Sequence, residues 1–302
     1  MTDAFPKQGT WAELQRDVEA RVALTEARWI VETVSGLRGA ELIAGRHETA
    51  TVGGLARAHD MVERRVAGEP LQYVLGEWAF RGIDVFVDPR VLIPRPETEV
   101  TAQVAIDAVS ELGARRGRSN PWAGAQAAFT VVDLGTGSGA IAIALAAELP
   151  DAEVWATDVS AEALAVAHAN VAGAGSVATR IRLAHGDWFS ALPDYLRGGV
   201  RVAVANPPYL AASEVDDLPT EVADHEPRVA LVSGPTGLEA IERIVGEAPE
   251  WLEADGVLVV EIAPHQSGPA IGIARRAGFA DTRVERDLTA RDRVLVARLS
   301  EN

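Results

Sequence analysis

The 302-residue chain contains no cysteine, which removes disulfides, thiolate nucleophiles and Cys-based zinc sites from consideration. It contains a single lysine, Lys7, so arginine supplies every other basic charge, a trait of composition rather than of mechanism. No apolar stretch approaches the length that spans a bilayer, and the start Met1-Thr2-Asp3-Ala4-Phe5-Pro6-Lys7 lacks a basic region followed by an apolar one. A cytoplasmic protein without a membrane partner is expected. Basic excess is lacking too. The formal charge is −16, with 11 basic against 14 acidic residues in 1–90 and 17 against 30 in the remainder. An acidic C-terminal part argues against a phosphate backbone as the main docking surface, so no direct nucleic-acid substrate is expected. Nor is there metal-ligand spacing: His47 and His59 stand alone and read as surface histidines.

What is present is an apolar share of 48%, enough for a globular core, arranged in two patterns. Residues 10–76 carry apolar side chains at three-and-four steps: Trp11, Leu14, Val18 and Val22, then Leu24, Ala27, Ile30, Val31 and Val34. Gly36 and Gly53-Gly54 punctuate this stretch, which predicts a small bundle of short helices. Residues 77–97 predict a β-hairpin linker. Two short strands flank Gly82, and Leu92-Ile93-Pro94-Arg95-Pro96-Glu97 is held extended by its prolines. Helical periodicity resumes at Thr98 and runs to about Leu112, and Gly113–Ala125 reads as an exposed loop. From Phe129 onward strand and helix alternate. Strands are expected at 129–134, 153–158, 179–185, 200–205, 256–262, 280–287 and 292–299, and helices at 138–149, 160–173, 236–253 and 265–278. Alternation of this kind specifies a parallel sheet covered on both faces, and the last two strands, lacking a helix between them, form an antiparallel edge hairpin. The expected architecture is therefore α/β: a seven-stranded Rossmann-like methyltransferase domain over 98–302, after a helical domain over 1–76 and the hairpin linker.

In Asp133-Leu134-Gly135-Thr136-Gly137-Ser138-Gly139, three glycines at alternate positions join a strand to a helix. Dinucleotide loops space them G-x-G-x-x-G to cradle a pyrophosphate. Here the spacing is G-x-G-x-G, which suits S-adenosylmethionine, a cofactor without phosphate. Asp158 ends the next strand and can accept both ribose hydroxyls; the alternative is an N-cap for the following helix. After the third strand, Asp187 can accept from an adenine amino group and Trp188 can wall the ring, or the two are an ordinary strand-end acid and a buried indole. Asp133 is expected to support the loop or the cofactor's ammonium group.

The most informative stretch is Asn206-Pro207-Pro208-Tyr209, which ends the apolar run Val200–Ala205. It presents a side-chain amide oxygen, a backbone carbonyl fixed by two prolines, and a flat ring. Two fixed acceptors can grip a planar NH₂ group while the ring lies against it. That is a site for methylating an amide or exocyclic amine nitrogen, with Asn206, Pro207 and Tyr209 carrying the chemistry.

Taken together, Pro70–Gly76, Leu92–Glu99, Asp133–Gly139, Asp187-Trp188-Phe189, Asn206–Tyr209 and His225–Leu231 resemble the protein-(glutamine-N5) methyltransferases that act on peptide chain release factors. The resemblance covers residue 68 to the end and is only architectural before that. It implies that Gly135, Thr136, Gly137, Ser138, Gly139, Asp158 and Trp188 bind S-adenosylmethionine, which is released as S-adenosylhomocysteine, and that Asn206, Pro207, Pro208 and Tyr209 bind a glutamine in a Gly-Gly-Gln loop. Asp187 and Asn206 are expected on the cofactor side as well, and Phe80 from the hairpin beside the glutamine. The helical bundle and hairpin would dock the release factor, and His225 would make a structural contact rather than act as a base. The stretch Gly113–Ala128 looks longer than the family needs and receives no function. The alternatives are glutamine methylation of a ribosomal protein, methylation of an amino group on a nucleic-acid base, and a non-catalytic module that senses the cofactor.

Overall fold

The structure, a computed structural model, describes residues 8–119 and 129–301. The described chain packs as two compact units: one comprises the chain up to Glu77 together with Pro219–His225, the other Trp78–Leu218 and Glu226 onward.

In the first unit, helices α1 (Trp11–Glu19), α2 (Leu24–Ser35), α3 (Ala40–Gly45), α4 (Val52–Val66) and α5 (Leu71–Leu75) bury one apolar face each. Thr10 and Glu13 close a reciprocal cap on α1, satisfying backbone donors that the first turn leaves free. Of the periodic residues, Trp11, Leu14, Val18, Ala27, Ile30, Val31 and Val34 are core, while Leu24, the first residue of α2, is 69% exposed. Gly36 ends α2 in the left-handed conformation, as a helix C-terminus favours. Gly53-Gly54 differs from expectation: it lies in the first turn of α4 and breaks nothing. A Cβ on Gly54 would meet the Trp11 ring at 2.8 Å, so the glycine is there for close helix approach.

The second unit starts with the hairpin β1 (Glu77–Phe80) and β2 (Ile83–Phe86), followed by α6 (Pro96–Ser119). Pro96 at the helix start and Glu97 and Glu99 in its first turn suit an N-terminus. The helix runs past the loop expected from Gly113, because Ala114, Arg115 and Arg116 are good helix formers. Residues 120–125 of that expected loop, and the rest of the stretch to residue 128, lie outside the described residues. Then come β3 (Phe129–Leu134), α7 (Ala140–Glu148), β4 (Ala152–Asp158), α8 (Ala161–Gly173), β5 (Ile181–His185), β6 (Val200–Ala205), β7 (Leu210–Ala211), α9 (Thr220–His225, which belongs to the first unit), α10 (Arg228–Leu231), β8 (Val232–Gly234), α11 (Glu239–Trp251), β9 (Leu252–Glu261), α12 (Ser267–Arg276), β10 (Asp281–Arg286) and β11 (Asp292–Arg298).

Seven strands form one sheet in the order β10-β11-β9-β6-β3-β4-β5, parallel except where β11 pairs antiparallel with β9 and β10. Leu258 and Val260 of β9, Ala203 and Ala205 of β6, and Val132 and Leu134 of β3 share one core with Ile241 and Ile244 of α11 and Ile273 of α12. By two-residue alternation, Asp133, Val202, Val204, Val259 and Glu261 face the other side. That side is covered by α6, which packs on β6 and β9, and by α7. Chain order reverses between β3 and β6, and the crevice beyond the carboxyl ends there is where such sheets hold ligands.

Candidate active site

Strand register builds the site. Thr157 of β4, Leu134 of β3, Ala205 of β6 and Val260 of β9 stand in one row. One residue further along, Asp158, Gly135 and Asn206 therefore reach the crevice side by side, with Glu261 buried next in the row. A cavity of about 360 Å³ opens there, lined among others by Gly135–Ser138, Asp158, Asp187, Trp188, Asn206, Pro208 and Thr98.

The glycine loop is held from beneath. Asp133 accepts from the Thr136 hydroxyl at 2.6 Å and from the Ala142 backbone N–H at 3.1 Å, both through Oδ2, while its buried Oδ1 has no hydrogen-bond partner. Burial pushes this carboxyl up to about 7, against the pull of its two donors. Asp133 thus supports the loop. Asp158 accepts from Gly137 N–H through Oδ2 and from Ser160 N–H through Oδ1, each at 2.9 Å. It is not the helix cap, because Ser160 caps α8 by accepting from Ala163 N–H. Burial raises the Asp158 carboxyl above its usual range, opposed by backbone donors that include these two. A carboxylate offers about four lone-pair sites, so it can accept further bonds beside these.

Gly135 has φ +73°, and a Cβ there would meet the Trp188 ring at 3.1 Å. The indole rests directly over the loop. Trp188 itself has φ +49°, a left-handed conformation that costs a bulky residue on the order of 1–3 kcal/mol. The Asp187 carboxylate is paired with Arg243 of α11, and both line the cavity. Arg243 had no sequence signal, since its helix comes more than fifty residues later and is ordinary in composition.

At the opposite wall, the Asn206 Nδ2 donates to the Thr98 hydroxyl at 3.0 Å. Thr98 lies within hydrogen-bonding reach of Glu261, which also accepts from the Thr101 hydroxyl at 3.0 Å. Glu261 is 1% exposed, and burial pushes its carboxyl up to about 7. Neither Thr98 nor Glu261 was singled out from sequence. The available signal was an acid closing the apolar run Val257-Leu258-Val259-Val260-Glu261.

Pro207 is buried, and neither it nor Tyr209 belongs to the cavity lining. The Tyr209 carbonyl accepts from Gln266 Nε2 at 2.8 Å, and burial pushes its phenol up to about 12. Phe80 of β1 is buried, at 1% exposure, and is not among the residues that line the cavity. The Leu92–Glu99 and His225–Leu231 segments are tied together by an ion pair between Arg95 and Glu226, with Ile93 N–H donating to Glu226 at 3.4 Å. Burial raises Glu226 despite that arginine. His225 ends α9 in the first unit, near the Glu69 carboxylate, and is no part of the cavity.

The cavity walls suit a cofactor with a ribose, a flat base and no phosphate. A carboxylate stands at one strand end, an indole lies over a side-chain-free glycine, and no basic cluster surrounds the loop among the lining residues.

Comparison with known proteins gives concordant results. The family models "PrmC N-terminal domain" and "Methyltransferase small domain" match residues 11–76 and 119–225. The release factor glutamine methyltransferase of Caulobacter vibrioides is 35% identical over 271 residues, covering 90% of this chain and 88% of that protein. The release factor glutamine methyltransferase of Geobacter sulfurreducens is 36% identical over 277 residues, covering 92% and 90%. Among solved structures, the hMettl16 catalytic domain in complex with a MAT2A 3'UTR hairpin matches with a TM-score of 0.53 at 16% identity over 82% of each chain, a likeness of fold alone.

Proposed function

The chain belongs to the release factor glutamine methyltransferase family, and we propose that it transfers a methyl group from S-adenosylmethionine to the side-chain amide nitrogen of the glutamine in a release factor's Gly-Gly-Gln loop. The observation that carries this reading is the tether of Asn206. With Nδ2 committed to Thr98, the Asn206 Oδ1 is the end left to accept from a substrate at the wall of the same cavity that the glycine loop lines.

An amide nitrogen is a poor nucleophile because its lone pair is delocalised into the carbonyl. The bound cofactor supplies a methyl group already activated by its sulfonium. What remains for the protein is alignment and charge. Asn206 Oδ1 and the Pro207 carbonyl each accept one amide hydrogen, which aims the nitrogen and stabilises positive charge developing on it. The Tyr209 ring packs along the glutamine stem once the protein substrate is docked. On the cofactor side, Asp158 takes the ribose hydroxyls, Trp188 walls the adenine, and Gly135–Gly139 lets the amino-acid part approach the backbone. Asp187 accepts from the adenine amino group with the lone pairs that Arg243 leaves. No strong general base is needed, because the methylated amide nitrogen is acidic enough to release its proton to solvent.

The first unit, with the hairpin, is assigned to docking the release factor, since it carries no catalytic cluster. The acidic balance of the chain supports a protein rather than a nucleic-acid substrate, and the cytoplasm, where release factors act, as the place of reaction. Among the described residues no helix is long and apolar enough to cross a membrane. Incubation with labelled cofactor and, separately, release factor, ribosomal protein and DNA, followed by peptide mass spectrometry, tests the assignment. Methyl transfer to the Gly-Gly-Gln glutamine is expected; label only in ribosomal protein or DNA would overturn it.

A further inference from the structure

We infer that Glu261, acting through the Thr98 hydroxyl, is a positioning residue that sets which way round the Asn206 amide sits, so that the cavity wall presents an acceptor and not a donor. This rests on the function proposed above and concerns residues that never touch the substrate glutamine.

The two ends of an asparagine amide have nearly the same shape and opposite hydrogen-bonding character, so only their partners decide the orientation. The partner of Asn206 Nδ2 is the Thr98 hydroxyl, which can both donate and accept. A threonine hydroxyl has one proton. An ionised carboxylate can only accept, so an ionised Glu261 draws the protons of both Thr98 and Thr101 toward itself. Thr98 then has only lone pairs for its other neighbour. Asn206 must turn its NH₂ to Thr98, as observed, which leaves its oxygen for the cavity.

Protonation of Glu261 reverses the chain. The acid O–H can donate to Thr98, which is freed to donate to Asn206 Oδ1, and the amide is equally satisfied after a half-turn. Its NH₂ then faces the NH₂ of the substrate glutamine, donor against donor. The same backbone would hold an inactive site.

The surroundings place this switch near neutrality. Burial is the largest influence on Glu261 and pushes it up to about 7; Thr98, Thr101 and Arg293 of β11 oppose it, and Glu97 of α6 adds to it. Tyr209 faces the same carboxylate, and its phenol, pushed up to about 12, stays neutral alongside it. Stability alone does not call for an acid here, because a buried carboxylate is costlier to desolvate than a neutral group of similar shape. The polarity it imposes on Thr98 accounts for it.

The test uses full-length protein, intact release factor and single-turnover methylation from about pH 6 to 9, with S-adenosylhomocysteine affinity measured alongside. Thr98→Val should lower the rate about tenfold, the upper end of one net hydrogen bond's worth of orientation, with cofactor affinity unchanged, while Thr98→Ser recovers most of it. The parent rate should climb as pH rises through about 7, and Glu261→Gln should be slow and lack that climb. Thr98→Val as fast as Thr98→Ser would overturn the inference, as would a parent-like pH profile in Glu261→Gln. If Glu261→Gln does not fold, the Thr98 pair decides. A parent that leaves the release factor unmethylated overturns the functional reading instead; an active parent with indifferent variants overturns only this inference.

Discussion

Replacing Asp158 by alanine tests the cofactor half of the site, and its expected size follows from two bonds. The carboxylate accepts the Gly137 and Ser160 N–H groups at 2.9 Å each, fastening the glycine loop of β3 to the start of α8. Hydrogen bonds to a charged acceptor contribute roughly 1.5–3 kcal/mol each and are not additive, so about 2–4 kcal/mol is at stake, a factor of roughly 30–1,000 in cofactor affinity. Loop loosening and loss of the ribose acceptor would both weaken binding, and a single affinity cannot separate them. A cycle can. Calorimetry with S-adenosylhomocysteine and its 2′-deoxy analogue should show a penalty for the missing hydroxyl in the parent that disappears in Asp158→Ala. Unchanged affinity in a folded Asp158→Ala protein would refute both roles. An undiminished deoxy penalty would refute the ribose role and leave Asp158 as a loop fastener.

Asn206→Ala should slow single-turnover methylation by on the order of 100–1,000-fold while cofactor affinity changes much less; an unimpaired rate would remove Asn206 from the mechanism. Asn206→Asp should also be slow, because a second acceptor then competes with Glu261 for the single Thr98 proton; a rate near that of the parent would show that the tether is irrelevant. Exchanging the exposed Leu24, Ile43 and Val52 of the first unit for glutamate should raise KM for intact release factor and spare cofactor affinity, and equal KM values would take these residues out of docking. Asp133 holds a proton in the folded state up to about pH 7 that the unfolded chain releases near pH 4, so its contribution to stability is full below that lower value and lost as pH rises through the upper one. Melting of the cofactor-free parent should therefore fall more steeply between about pH 5 and 8 than that of Asp133→Asn, and matching slopes would mean that Asp133 is ionised when folded.

The sheet was legible because its central strands, β3 and β6 among them, are apolar on both faces. Val200–Ala205 and Phe129–Leu134 are strands at the residues expected, and the edge hairpin Asp281–Arg298 needed only the missing helix to be recognised. Strand ends then located Gly135, Asp158 and Asn206, since parallel strands deliver their following residues to one edge. Residues whose role depends on a third element were not legible. Thr98 meets Asn206 only because α6 crosses β6 and β9, and Arg243 meets Asp187 across the fold. Gly53-Gly54 was misread because a glycine that admits an indole and a glycine that ends a helix look alike in one dimension.

The membership of Pro219–His225 in the first unit affects the order in which the protein can be made. A ribosome releases residues 1–77 early, yet the last piece of that unit, including Glu221, whose carboxylate pairs with Arg65 at 2.7 Å, emerges only after most of the seven-stranded sheet has been synthesised. The segment leaves the methyltransferase unit soon after Asn206–Tyr209 and re-enters it at Glu226, the partner of Arg95. The helical unit is thus not a detachable prefix. It is sealed late in translation, by the stretch of chain that runs between the Asn206–Tyr209 tetrapeptide and the arginine-bound glutamate.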